Sequence, residues 1–183
     1  MTDDLRVRVA TRADLPELER LIPRSVRGLS RGYYTDAQIE SGIRYVFGPD
    51  TQLIADGTYL VVTAGERIVA CGGWSKRRTL YGGDHMKGDA PDPLVDPATE
   101  PARIRAFFVD PDWSRRGIGS LLLNACVDAA SAAGFRTLEL AATLPGEPLY
   151  ERFGFRALER TAAALPNGES LPIVRMTRAV EVK

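Results

Sequence analysis

Cysteine is scarce in this chain of 183 residues: Cys71 and Cys126 are the only two, far apart and outside any CxxC spacing. Neither a disulfide framework nor a cysteine-rich zinc site is expected from them. Histidine is scarcer still, with His85 alone, and no cluster of ligands suggests a metal. Charge of one sign is missing too, because 24 Lys and Arg balance 24 Asp and Glu. That balance removes the net positive field that would recruit nucleic acid or an anionic membrane. No run approaches the ~18 apolar residues of a membrane span. Met1 to Ala10, charged at Asp3, Asp4, Arg6 and Arg8, has no apolar core of signal-peptide length. These absences predict a protein of the reducing cytoplasm whose partner is drawn by local chemistry.

What is present fits one domain over residues 1–183, since 44% apolar and 26% charged residues suffice for a single core. Arg6 to Ala10 alternates as a strand. Thr11 and Asp14 can cap a helix through Leu15, Leu18, Leu21 and Ile22, loosened or ended by Pro23. Thr35 can cap a second helix carrying Ile39, Ile43, Tyr45 and Val46, stopped by Gly48-Pro49. Thr58 to Thr63 and Arg67 to Trp74 read as a hairpin around Ala64-Gly65-Glu66. From Thr79 to Pro101 periodicity disappears among prolines and glycines, which marks a long excursion of functional rather than neutral length. Arg103 to Val109 is the next strand, Gly117 to Ala133 an apolar helix stopped by Gly134, and Phe135 to Thr143 a strand following it as in a βαβ unit. A short helix over Pro148 to Phe153 precedes two strands around Arg156–Ala164 and Ser170–Val180, joined at Pro166-Asn167-Gly168.

The stretch from Phe107 to Ser120 leads a strand into a helix through a basic, glycine-containing turn. Amides at a helix start lack intrahelical partners and carry the positive end of the macrodipole, so an anion is stabilised there. Gly117 and Gly119 let phosphate oxygens approach the backbone, and Arg115 and Arg116 add formal charge. The implied ligand is a phosphate or pyrophosphate. Neither a GxxxxGK[ST] P-loop nor a dinucleotide GxGxxG accompanies it.

Here the sequence resembles the GNAT superfamily of acyl-CoA-dependent N-acyltransferases. Ser114-Arg115-Arg116-Gly117-Ile118-Gly119 follows the family turn, with Ser114 where Arg or Gln is usual. Leu149-Tyr150-Glu151-Arg152-Phe153-Gly154-Phe155 follows its LYxxxGF signature downstream. The resemblance implies an α/β (α+β) fold: a mixed, mostly antiparallel sheet of six or seven strands, helices on both faces, and a splayed parallel central pair. It implies acetyl-CoA as cosubstrate, with Phe107, Phe108 and Val109 pairing with the pantetheine arm. Arg115, Arg116, Gly117, Ile118, Gly119 and Ser120 would hold the pyrophosphate. The activity implied is N-acetylation of a primary amine, on a small molecule or peptide, by direct attack. A longer acyl-CoA, or a CoA-sensing module without turnover, are the alternatives, and a homodimer is implied by family habit.

Amide formation from a thioester needs a neutral amine, positioning, oxyanion stabilisation and a proton for the departing thiolate. The resemblance gives the oxyanion to a backbone amide near Val109 and the proton to Tyr150, which otherwise packs under the last helix. Glu139 matches a base position of some members, or is an exposed strand carboxylate. His85 offers a base or a loop contact. Asp84, Asp89, Asp92, Asp96 and Glu100 against Lys87 make the excursion acidic, able to attract a cationic amine or simply solvated. Tyr33, Tyr34 and Asp36 could form the opposite wall of the acceptor site, or the tyrosines could anchor the core.

Overall fold

The computed structural model describes residues 4–181. Its strands β1 (Leu5–Val9), β2 (Tyr59–Ala64), β3 (Arg67–Ser75), β4 (Ala102–Val109), β5 (Thr137–Thr143), β6 (Arg156–Ala164) and β7 (Ser170–Ala179) form one sheet in the order β1-β2-β3-β4-β5-β7-β6. Every neighbouring pair is antiparallel except β4 and β5. Helices α1 (Leu15–Leu29), α2 (Asp36–Tyr45) and α3 (Thr51–Ala55) cover one face, packing Leu18, Ile22, Ile39 and Leu53 against Tyr59, Val61 and Cys71. Helices α4 (Ile118–Ala132) and α5 (Glu147–Arg152) cover the other. There Leu123, Cys126 and Tyr150 meet Leu138, Leu140 and Met176. Among the described residues no helix is long and apolar enough to cross a membrane.

Two local expectations are corrected. Helix α1 does not end at Pro23 but runs to Leu29, since Ser25 and Val26 continue the buried stripe of Leu18, Leu21 and Ile22. The carbonyl that proline leaves without its helical donor belongs to Glu19, an exposed residue that water can serve. The third helix, α3, was not expected. It is nucleated by Asp50, whose Oδ1 accepts from the amides of Gln52 (3.1 Å) and Leu53 (3.2 Å).

The long excursion after β3 is tied down along its length. Arg77 grips Asp56 through two hydrogen bonds, Nε to Oδ2 at 2.7 Å and a terminal nitrogen to Oδ1 at 2.8 Å. The amide of Gly83 donates to the carbonyl of Val46 (2.9 Å), and that of Asp84 to the carbonyl of Pro49 (3.1 Å). Beneath this strap lies a buried charge cluster. Arg105 donates to the carbonyl of Gly82 and pairs with Asp50 at 3.0 Å, and Lys87 pairs with Asp50 from the other side.

Candidate active site

The parallel contact between β4 and β5 is brief: Ala102 opposes Leu138, Arg103 opposes Glu139, and there the pairing stops. Both strands continue, β4 to Val109 and β5 to Thr143, so they part company and leave a cleft open toward their C-terminal ends. On the β3 side, β4 carries a bulge. Cys71 pairs with Phe108 and Gly73 with Arg105, which sets Ala106 and Phe107 against the single residue Gly72. Ala106 stands at φ +56°, a left-handed conformation unusual for alanine. The fully buried Tyr59 holds it there by donating its hydroxyl to the Ala106 carbonyl at 3.0 Å. Gly72 is required opposite the bulge, because a Cβ there would lie 2.5 Å from the ring of Phe107.

A cavity of ≈ 80 Å³ occupies the cleft. Ile104 to Phe108 of β4 form one wall, Ala141 and Thr143 of β5 another. Ala163, Leu171 and Ile173 come from the β6–β7 hairpin, Val46 and Phe47 from the end of α2, and Leu80 to Gly83 from the strap. Tyr150 reaches it from α5, its ring set edge-on to Phe107 (6.2 Å between centroids) and Phe155 (5.8 Å). Among the described residues no group hydrogen-bonds the Tyr150 hydroxyl, and burial beside Cys126 pushes its pKa upward. The phenol therefore keeps its proton throughout the neutral range. Burial likewise pushes the Cys71 thiol up to about 12, which leaves it a packing group.

Beyond the end of β4 lies the basic turn. Asp110, almost fully buried, accepts from Arg67 and from the amide of Asp112, and so fixes the start of the turn. Arg115 at φ +60° and Gly117 at φ +80° both adopt left-handed backbone. Gly117 sits at the N-cap of α4 with no side-chain cap, and a Cβ added to it would meet open space. The first intrahelical bond runs from Leu121 to Gly117, so the amides of Ile118, Gly119 and Ser120 have no acceptor within the helix. Arg115 and Arg116 are exposed beside them, Arg116 lying 4.9 Å over the Trp113 ring. A Cβ on Gly119 would also press on Leu149 at 3.1 Å, so its smallness serves the packing of α4 on α5 as well. An uncapped helix start with adjacent arginines suits a diphosphate, and the cleft leading from it suits an alkyl thioester arm. The residues present therefore fit acetyl-CoA.

Phe107 and Tyr150 both line the cavity, and the basic turn follows the C-terminal end of β4. The Phe108 ring lines the cavity as well, edge-on to Phe47 at 5.9 Å. The amide of Val109 is not available as expected, for it donates to Ser25 Oγ of α1 at 3.1 Å. Alternation along the strand turns the Phe107 amide to the same side as that of Val109, toward β5. Glu139 is absent from the cavity wall. It lies where β4 and β5 are still paired, bonded to Arg103 at 3.0 Å and with Arg175 Nε 2.9 Å away. His85 is exposed and packs over Gly48 outside the cavity. Tyr34 is a core anchor, donating to the carbonyl of Pro172 (2.6 Å) and accepting from the amide of Leu144 (3.0 Å). Tyr33 is exposed, and Asp36 merely opens α2. Sequence reasoning missed Tyr59, Asp50, Arg105, Ser25 and the hairpin wall. Only the Gly72-Gly73 pair inside a strand gave a signal, since interior glycines mark bulges and close approaches.

The family profile described as an acetyltransferase (GNAT) domain matches residues 55–157. An uncharacterised N-acetyltransferase of Methanocaldococcus jannaschii is 38% identical over 63 residues, a stretch covering 33% of this chain and 28% of that protein. A GCN5-related N-acetyltransferase structure from Rhodopseudomonas palustris superposes with a TM-score of 0.71 at 20% identity, covering 96% of this chain and 95% of that one. A PaiA N-acetyltransferase from Thermoplasma acidophilum, solved in complex with coenzyme A, gives 0.65 at 13% identity over 97% of this chain and 99% of that one. These two likenesses speak to the fold, and the profile covers more than half of the chain, including the bulge, the cleft, the basic turn and Tyr150. On that ground the chain belongs to the GNAT acetyltransferase family.

Proposed function

We propose that this protein transfers an acetyl group from acetyl-CoA to a primary amine by direct attack within the β4–β5 cleft. The observation that carries the reading is the short parallel contact: two residue pairs, then a parting that leaves a cavity with Tyr150 on its wall. Acetyl-CoA supplies the activated acyl carbon. The amides of Ile118 to Ser120 with Arg115 and Arg116 hold its diphosphate, and the Phe107 amide polarises the carbonyl. The amine nitrogen bonds to that carbon as the carbon–sulfur bond breaks. Tyr150 gives its proton to the departing thiolate and regains one from the new amide nitrogen.

No carboxylate or imidazole is among the described residues on the cavity wall, so the amine enters as its free base and its ammonium proton goes to water. Glu139 is assigned to bracing the closed end of the cleft through Arg103 and Arg175, rather than to proton transfer. The two buried, unpaired cysteines suit a cytoplasmic setting. The test is titration calorimetry with CoA alongside thiol release from acetyl-CoA over an amine panel. Binding with amine-dependent release is expected; binding without release across the panel would make the protein a CoA sensor.

A further inference from the structure

The cavity wall restricts what can be acetylated, an inference that rests on the transfer reading above. The cavity measures only ≈ 80 Å³, so the acceptor's buried part is small. Its surroundings are mostly apolar: Phe47, Leu80, Ala163, Leu171 and Ile173. Arg105 is the one ionised residue among those lining it, and its guanidinium is already engaged by Asp50 and the Gly82 carbonyl.

The acidic strap places no carboxylate on the cavity wall: Asp89 is exposed outside it, and the other four are engaged elsewhere. Asp84 accepts from the Thr51 amide and pairs with Lys87, and Asp92 accepts from the Thr79 amide. Asp96 accepts from the Ala98 amide, and Glu100 from the Asp96 amide. These carboxylates hold the excursion together, and none of them lines the cavity. A second ammonium on the acceptor would surrender its hydration without a counter-ion, close to the Arg105 cation. The strap is fastened to Val46 and Pro49 on one side, and the β6–β7 hairpin stands on the other. The cavity is thus bounded by the strap and by the hairpin, which favours a compact acceptor over an extended peptide.

We propose that the acceptor is a small apolar monoamine: one primary amine on an aliphatic or aromatic body with no second charge. Pentylamine and putrescine test this directly, because they have equal numbers of non-hydrogen atoms and differ in a terminal methyl against an ammonium. With saturating acetyl-CoA, kcat/KM for thiol release should favour pentylamine by about tenfold or more, with trialanine slower still. Equal or reversed values for putrescine, or the fastest release with trialanine, would overturn the proposal and leave the transferase reading standing. Release with no amine in the panel while CoA binds would remove the transferase reading and the acceptor class with it. Ala163→Phe should cut kcat/KM for pentylamine by about tenfold or more while calorimetry shows unchanged CoA affinity. Undiminished pentylamine turnover in a variant that binds CoA normally would place the acceptor elsewhere.

Discussion

Gly117 stands at φ +80° with open space where a side chain would begin, and that combination makes it the most exacting position of the basic turn. Gly117→Glu should weaken CoA binding by about a hundredfold or more in calorimetry, through strain, bulk and like charge, while the exposed position preserves the fold. Tyr150 carries a different burden. Its ring is packed by Phe107 and Phe155 whether or not the hydroxyl is present, so Tyr150→Phe should lower kcat by about ten- to a hundredfold and leave CoA affinity unchanged. Equal losses in both quantities would make it a packing residue only. These residues could be picked out in the sequence because their signals are local: a glycine in a basic turn before a helix, and a tyrosine within a short signature. Ser25 was not legible, since its role is to occupy the Val109 amide from 84 residues away, a pairing that only the packing of α1 on β4 creates.

Elements show the same division. The strands and long helices follow from periodicity, but the excursion between β3 and β4 has none, and its order comes from single polar side chains meeting α3 and β4. The Asp56–Arg77 clamp is the clearest of these. The Asp56 carboxyl is held below its usual range chiefly by the hydrogen bonds from Arg77, with Gln52 adding to them. Because the folded-state value lies below the unfolded one, the stabilisation is complete above the unfolded carboxylate range and is lost as pH falls through the folded value. Arg77→Met should therefore cost about 2 kcal/mol near neutral pH, with the deficit shrinking below about pH 4. Urea denaturation at pH 7 and pH 3 measures both. A deficit of the same size at the two values would attribute the loss to packing of the arginine stem.

Across the whole molecule, the mixed, mostly antiparallel sheet with its one parallel pair follows from the family resemblance, while the bulge at Ala106, the charge cluster at Asp50 and the cavity they help shape depend on contacts between distant segments. Ligand linkage offers a global reading of the cleft: CoA at about a hundred times its Kd should raise unfolding stability by about 2.7 kcal/mol, seen as a concentration-dependent rise in Tm. A Tm indifferent to CoA would deny binding to the native state. The two residue pairs joining β4 to β5 have a wider consequence. They are the spine of an open book, with β1 to β4 as one cover and β5, β7 and β6 as the other. Amide exchange in the free protein should then report two covers breathing semi-independently, and a bound nucleotide thioester would act as the binding that makes them one volume.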